Sequence, residues 1–253
     1  MSDFDRNIAA RGGFADRAVA VDAGLRAYML SVYNYMATAV GLTGVVAWFT
    51  FKAAAVTDPT TGKIVALTSF GQTIYNPVTS IVLLLATLGL VFFISFRINR
   101  LQFTTAFSLF MFYAALLGVA LSSIFVAYTG VSIARVFFIT AASFGALSLY
   151  GYTTKRDLAP MFTFLFMGLI GIVLAGLVNI FLQSSGLTFI ISAVGVLVFA
   201  GFTAYDTQSI KEMYDVNDDG TVSGRKAVMG ALRLYLDFIN LFISLLQLIG
   251  DRR

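Results

Sequence analysis

The 253-residue sequence contains no cysteine and no histidine. Without cysteine there can be no disulfide and no thiolate metal ligand, and without histidine there can be no imidazole ligand. Haem ligation by either residue and Ser-His or Cys-His catalysis are excluded for the same reason. We therefore expect no covalently bound cofactor, and any chemistry must rest on carboxylates, hydroxyls, amides and basic side chains.

Charged residues are also scarce. They make up 12% of the chain, about half the ~25% typical of soluble domains, whereas hydrophobic residues make up 58% and the mean hydropathy is +0.86. A membrane-spanning helix needs about 20 mostly apolar residues. Seven stretches meet this requirement: 27–51, 78–96, 103–126, 131–152, 160–183, 187–206 and 227–250. The sequence therefore predicts an all-α membrane protein with seven transmembrane helices.

Residues 1–26 are different in composition from the rest of the chain. Acids and bases alternate along them and no apolar core is present, so we expect a polar N-terminal tail without a cleavable signal peptide, followed by a transmembrane domain over 27–253. The net charge of +4 is better explained by cytoplasmic loops than by nucleic-acid binding, and no nucleic-acid partner is expected. Eleven of the 17 Lys and Arg residues fall on the side of the N-terminus, which predicts that this side is cytoplasmic.

The seventh span carries a polar stripe within the segment ALRLYLDFINLFISLLQLIG. Arg233, Asp237, Asn240, Ser244 and Gln247 follow one another at spacings of 4, 3, 4 and 3, which places them on one face of a helix. A polar stripe cannot comfortably face lipid, so the seventh helix is predicted to be central. The stripe either lines a pore or makes hydrogen bonds between helices, and both interpretations stay open.

Two aspartates, Asp206 and Asp237, lie inside or at the edge of apolar spans. A carboxylate in the membrane costs roughly 2.5–3.5 kcal/mol on insertion scales, so membrane proteins seldom carry one without a use. Both belong to helices joined on the cytoplasmic side, which predicts a coupled pair that would act as a pH switch. Carboxylate oxygens also suit calcium, and Arg97 or Arg100 after the second span lies within plausible reach.

The loop before the seventh span contains Asp215-Val-Asn217-Asp-Asp219-Gly220, which matches the start of an EF-hand calcium loop. The twelfth position of such a loop requires a bidentate glutamate, but Lys226 stands there. The flanking segments are spanning helices as well. We therefore favour a solvated acidic turn over a calcium site.

The stretches GFTAYDTQSIKEMYD and LRLYLDFINLFISLLQLIG resemble the Bax inhibitor-1 family, also called the transmembrane Bax inhibitor motif family, and most closely its bacterial members. The resemblance implies six helices around a central seventh in a bacterial inner membrane. It also implies that Asp206 and Asp237 form a hydrogen-bonded pair near the cytoplasmic mouth that senses pH for a calcium leak. The arginine that the family places beside this pair falls on Arg100, or on Arg97 if the turn contains a gap.

These observations predict a pH-sensitive, calcium-permeable leak channel rather than an enzyme, with the lipid bilayer and calcium ions as its partners. One alternative is a membrane-embedded regulator that binds a membrane protease or a stress-response protein through its polar tail. Another is an intramembrane aspartyl hydrolase, because Tyr205-Asp206 matches half of the motif of such enzymes. The environment of Asp237, Tyr-Leu-Asp-Phe, does not match the other half.

Overall fold

The computed structural model describes the backbone of residues 3–58 and 63–253 and the side chains of 22–58 and 63–253. Within these ranges, seven helices are long and apolar enough to cross a membrane, which confirms the predicted number. The helices are α1 (Asp3–Ala54), α2 (Ser69–Ile74), α3 (Pro77–Arg97), α4 (Phe103–Leu121), α5 (Ile124–Ala127), α6 (Gly130–Thr153), α7 (Met161–Leu182), α8 (Ser185–Glu212) and α9 (Gly220–Ile249). The short helices α2 and α5 are not spans of their own. Most of the predicted polar tail lies outside the residues whose side chains are described.

Several helices begin where the sequence carries a strong start signal. Asn76 accepts a hydrogen bond from the backbone N–H of Val78, and Pro77 occupies the first position of α3, where its missing N–H costs nothing. Asp219 caps α9 in the same way, accepting from the N–H of Val222 at 2.7 Å. These caps satisfy backbone donors at the points where the chain turns back into the membrane.

The long connection between the first two spans contains a small element of regular structure. Strands β1 (Ala55–Thr57) and β2 (Ile64–Leu67) pair antiparallel, with Ala55 opposite Leu67. Helix α2 follows the hairpin and leads into α3. This connection is therefore partly ordered, and Pro59 within it lies outside the described residues.

Helix α9 is the centre of the bundle. It packs against α1, α4, α6 and α8, whereas α3 packs mainly on α4 and α7 mainly on α8. In its most apolar stretch of 18 residues, 56% of the residues are buried, compared with 6–39% in the corresponding stretches of the other six spans. The prediction of a central seventh helix is confirmed, because only a helix surrounded by others can bury charged and amide side chains in a membrane.

The far end of α9 is clasped by the residues that follow it. The N–H of Thr129 donates to the carbonyl of Asp251 at 3.1 Å, and the N–H of Arg253 donates to the carbonyl of Ala127 at 3.0 Å. The Ser132 hydroxyl accepts from the N–H of Asp251 at 2.8 Å. This clasp ties the end of α9 to the turn between α5 and α6, and so holds the central helix in register.

Candidate functional site

The polar stripe of α9 faces α8, the helix that precedes it. The two helices run antiparallel on either side of the turn 213–219 and share the largest contact in the bundle. Asp206 lies six residues before the end of α8, opposite Arg233 and Asp237. The antiparallel pairing of consecutive helices thus brings together acids that are 31 positions apart in the sequence.

The carboxyl groups of Asp206 and Asp237 face each other closely enough for each to act electrostatically on the other. Asp237 is only 6% exposed, and its Oδ2 atom has no hydrogen-bond partner among the described residues. Two carboxylates contain no donor, so a hydrogen bond between them requires one shared proton. A single shared proton would allow that hydrogen bond and would remove one of the two negative charges.

The cation beside this pair is Arg233. Its guanidinium lies 3.9 Å from Asp206 Oδ1, and its charge also acts on Asp237. Its side chain is 36% exposed, whereas that of Asp206 is 13% exposed. Arg233 therefore bridges α9 to α8 and connects the buried pair to the surface.

Arg97 and Arg100 are the two arginines that the sequence predicted to lie beside the aspartates. Both are exposed, and neither forms an ion pair with Asp206 or Asp237. Arg97 ends α3, which packs mainly on α4, whereas Arg100 lies in the 3₁₀ turn that follows, and this turn contacts α9. That turn is instead tied to α9 by Arg225, whose guanidinium donates to the carbonyl of Asn99 at 2.6 Å.

The remainder of the stripe is packed or hydrogen-bonded. Gln247 Oε1 accepts from the Ser192 hydroxyl of α8 at 2.9 Å. Ser244 is buried against Gly195 of α8, where a side chain on the glycine would collide with the serine hydroxyl. Asn240 donates to a carbonyl of its own helix at 2.8 Å. Ser244 and Gln247, two of the residues predicted to line a pore, therefore form a closed seam with α8 in this conformation.

The sequence analysis missed a second polar contact, on another face of α9. The Tyr235 hydroxyl lies 2.7 Å from the Thr43 hydroxyl of α1, and Thr43 Oγ1 lies 2.9 Å from the carbonyl of Ala114 in α4. The rings of Phe110 and Tyr113 meet Tyr235 edge-on. A tyrosine two residues before a buried aspartate was the available signal, but its partners are distant in sequence.

Two further residues hold the end of α8 in place. The side chain of Gln208 accepts from the N–H of Leu158 and donates to the carbonyl of Arg156, both at 2.8 Å. Lys211 donates to a backbone carbonyl at the end of α6 at 2.9 Å. Because these anchors lie within one and a half turns of Asp206, they fix the position of that carboxyl group. Gln208 and Lys211 follow Asp206 within the segment GFTAYDTQSIKEMYD, and this closeness in sequence was the signal that could have identified them.

The acidic turn before α9 uses its carboxylates for local structure. Asp215 accepts two hydrogen bonds from Asn217, one backbone and one side-chain, each at 2.9 Å, and these bonds hold the pKa of Asp215 below its usual value. Asp218 forms an ion pair with Lys226. In the described part of the chain, no three acidic, histidine or cysteine side chains gather into a metal-binding group.

A central helix whose acidic pair and arginine face a neighbouring helix inside a seven-helix bundle defines a polytopic membrane protein with an internal charged site. The chain belongs to the Bax inhibitor-1 family: the family profile described as "Inhibitor of apoptosis-promoting Bax1" matches residues 25–253. This result confirms the family predicted from the two aspartate motifs.

Bacterial relatives match almost the whole chain. The chain is 46% identical over 241 residues to the Escherichia coli protein named "Inner membrane protein YbhL", which covers 94% of this chain and 97% of that one. It is 45% identical over 232 residues to a Rickettsia prowazekii protein, covering 92% of each. It is also 36% identical over 229 residues to an uncharacterized membrane protein of Streptococcus pyogenes, covering 90% of this chain and 94% of the relative.

Proposed function

We propose that this protein is a pH-sensitive, calcium-permeable leak channel of the bacterial inner membrane, and that the structure represents its closed conformation. The observation that carries the proposal is the buried meeting of Asp237 on the central helix with Asp206 on α8, with Arg233 3.9 Å from Asp206. The N-terminus lies in the cytoplasm, as the distribution of basic residues predicts. Calcium is the permeant ion and no bound cofactor takes part.

Protonation is the event that changes this site. With one shared proton the two carboxyl groups hold α8 and α9 together, and Arg233 balances the remaining negative charge. Without that proton two negative charges face each other at low dielectric and repel. The same two carboxylates then present hard oxygen ligands to a divalent cation. The seam formed by Ser244 and Gln247 is the part of the α8–α9 contact that must open for ions to pass.

The test is calcium flux into liposomes containing purified protein, measured from pH 5 to 8. We expect Asp206→Asn and Asp237→Asn each to flatten the dependence of flux on pH, because an amide cannot titrate. Asp157→Asn is the matched control. Asp157 is exposed at the same end of the bundle and only caps a turn, so the pH dependence should be unchanged. Wild-type curves in both site variants would refute the mechanism.

A second candidate function, a membrane-embedded regulator of a partner protein, is favoured by the closed α8–α9 seam. In that case the polar stripe is purely structural, and the polar tail contacts a membrane protease or a stress-response protein. Deleting residues 1–20 separates the two functions, because a channel should still conduct while a regulator should lose its partner.

We also propose that the protein is not an enzyme. The acids could in principle act as an aspartyl dyad. Incubation of the purified protein with a transmembrane peptide tests this directly, and cleavage that disappears in Asp237→Asn would contradict the proposal.

A further inference from the structure

A groove runs between α1 and α6 at the end of the bundle that carries Asp206. Met29 and Tyr33 form one wall, and Phe144, Gly145 and Tyr152 form the other, around a cavity of about 540 Å³. Farther along the same two helices lies a second, mainly apolar cavity of about 270 Å³, which α4 and α9 also line. Both helices are spanning segments, so the groove opens toward the hydrocarbon of the bilayer rather than toward water.

The length of the groove matches one leaflet. From Phe144 to Tyr152 a helix rises about 12 Å at 1.5 Å per residue. Half of the hydrocarbon core is about 15 Å thick. An acyl chain that starts at the membrane surface near Tyr152 would therefore lie along this wall, and its end would reach the edge of the second cavity.

The mouth of the groove carries positive charge and hydroxyl groups. Arg26 lines it, is exposed, and has no ion-pair partner among the residues whose side chains are described. The Lys211 ammonium lies 5.0 Å from the centre of the Tyr152 ring at the same end. Ser148 and Tyr33 add hydroxyl groups between the charged mouth and the apolar depth. This polarity, cationic at the surface and apolar inside, is complementary to an anionic phospholipid.

We propose that the α1–α6 groove binds one anionic phospholipid. Its phosphate contacts Arg26, and one acyl chain lies against Tyr33, Phe144 and Gly145. The lipid site and the charged site share neighbouring residues. Ser148 accepts a hydrogen bond from Thr207, which follows Asp206 in the sequence. The Phe144 ring packs edge-on against Phe238, which follows Asp237. The proposal does not depend on ion conduction.

Native mass spectrometry of the purified protein in detergent tests the proposal, with phosphatidylglycerol and phosphatidylcholine of identical chains added in equal amounts. The wild type should retain one phosphatidylglycerol in preference to phosphatidylcholine. Arg26→Gln should reduce that retention about tenfold, the loss expected for one charge-assisted hydrogen bond. Arg100→Gln removes an exposed arginine outside the groove and should leave retention unchanged.

A substitution that fills the groove tests the lipid-binding proposal independently of Arg26. A Cβ added at Gly145 meets no atom within 4 Å, so Gly145→Leu should fold normally while its side chain occupies the path of the acyl chain. Gly89→Leu on α3 is the matched control, because Gly89 is equally open but lies outside the groove. Gly145→Leu should abolish retention of phosphatidylglycerol, and Gly89→Leu should not.

Three results would overturn the proposal. The first is equal retention of the two lipids by the wild type. The second is unchanged retention in both Arg26→Gln and Gly145→Leu. The third is a dimeric mass that Gly145→Leu converts to a monomeric one, which would make a second copy of the chain the occupant of the groove.

Discussion

Replacing Arg233 with glutamine removes the cation beside the aspartate pair and keeps a side chain of similar length. At the observed separation of 3.9 Å, Coulomb attraction between Arg233 and Asp206 is about 1 kcal/mol in water and about 4 kcal/mol at an effective dielectric constant of 20. The arginine side chain is 36% exposed, so water screens the pair and the upper figure does not apply in full. We expect Arg233→Gln to lower the free energy of unfolding by about 1–2 kcal/mol.

A double-mutant cycle separates this ion pair from other effects of the substitution. In a chain that already carries Asp206→Asn, Arg233 has lost its nearest partner, so Arg233→Gln should cost less than it does in the wild type. The expected coupling energy is about 1 kcal/mol. The measurement is unfolding of the purified protein in mixed micelles, titrated with sodium dodecyl sulfate and followed by circular dichroism.

Arg97→Gln serves as the control for this cycle. Arg97 is exposed and forms no ion pair with the aspartates, so its replacement should change stability by no more than about 0.5 kcal/mol. If Arg233→Gln costs no more than Arg97→Gln, or if Asp206→Asn does not reduce its cost, Arg233 is not the counter-charge of the pair. If Arg97→Gln were the costly variant, Arg97, one of the two arginines that the family resemblance allows, would be the counter-charge instead.

Three further predictions concern the surroundings of the site. Tyr235→Phe removes the hydroxyl that meets Thr43 at 2.7 Å, and should lower the free energy of unfolding by about 0.6–1 kcal/mol; no loss would mean that the buried contact does not stabilise the bundle. Gly195→Leu should cost about 1–3 kcal/mol by overpacking the α8–α9 seam, whereas Gly171→Leu, where a Cβ meets open space, should be nearly neutral in the same unfolding assay. The carboxyl of Asp215 should titrate below its ordinary pKa of 3.8 in an NMR experiment, because the hydrogen bonds from Asn217 favour its charged form. These bonds stabilise the turn fully above the ordinary pKa, and their contribution is lost as the pH falls through the lowered pKa.

Much of the fold could be predicted because the membrane restricts what a sequence can do. Apolar stretches of about 20 residues can only become spanning helices there, so counting them was sufficient to obtain seven. The central position of α9 followed from one stripe of polar residues, since no other location in a bilayer accommodates Arg233 and Asp237 on the same helix. The hairpin between α1 and α3 was not foreseen, because its two short strands carry no pattern longer than four residues.

The cation of the charged site was harder to predict. Arg97 and Arg100 lie at the same end of the bundle as the start of α9, but topology specifies only the end and not the distance to the aspartates. Arg233 precedes Asp237 by four positions on one helix, which is the less favourable order for an ion pair within a helix. Arg233 pairs instead with Asp206, which lies on the neighbouring helix.

The sequence by itself determined the class of protein, the seven spans, the family and the two aspartates of interest. Each of these depends on composition or on periodicity along one helix, and such information is local. Only the tertiary structure decided which faces of α8 and α9 meet, which arginine accompanies the acids, and that the polar stripe forms a closed seam. The rotation of one helix against another is set by packing at many positions at once, for example Ser244 against Gly195, and no single segment contains that information.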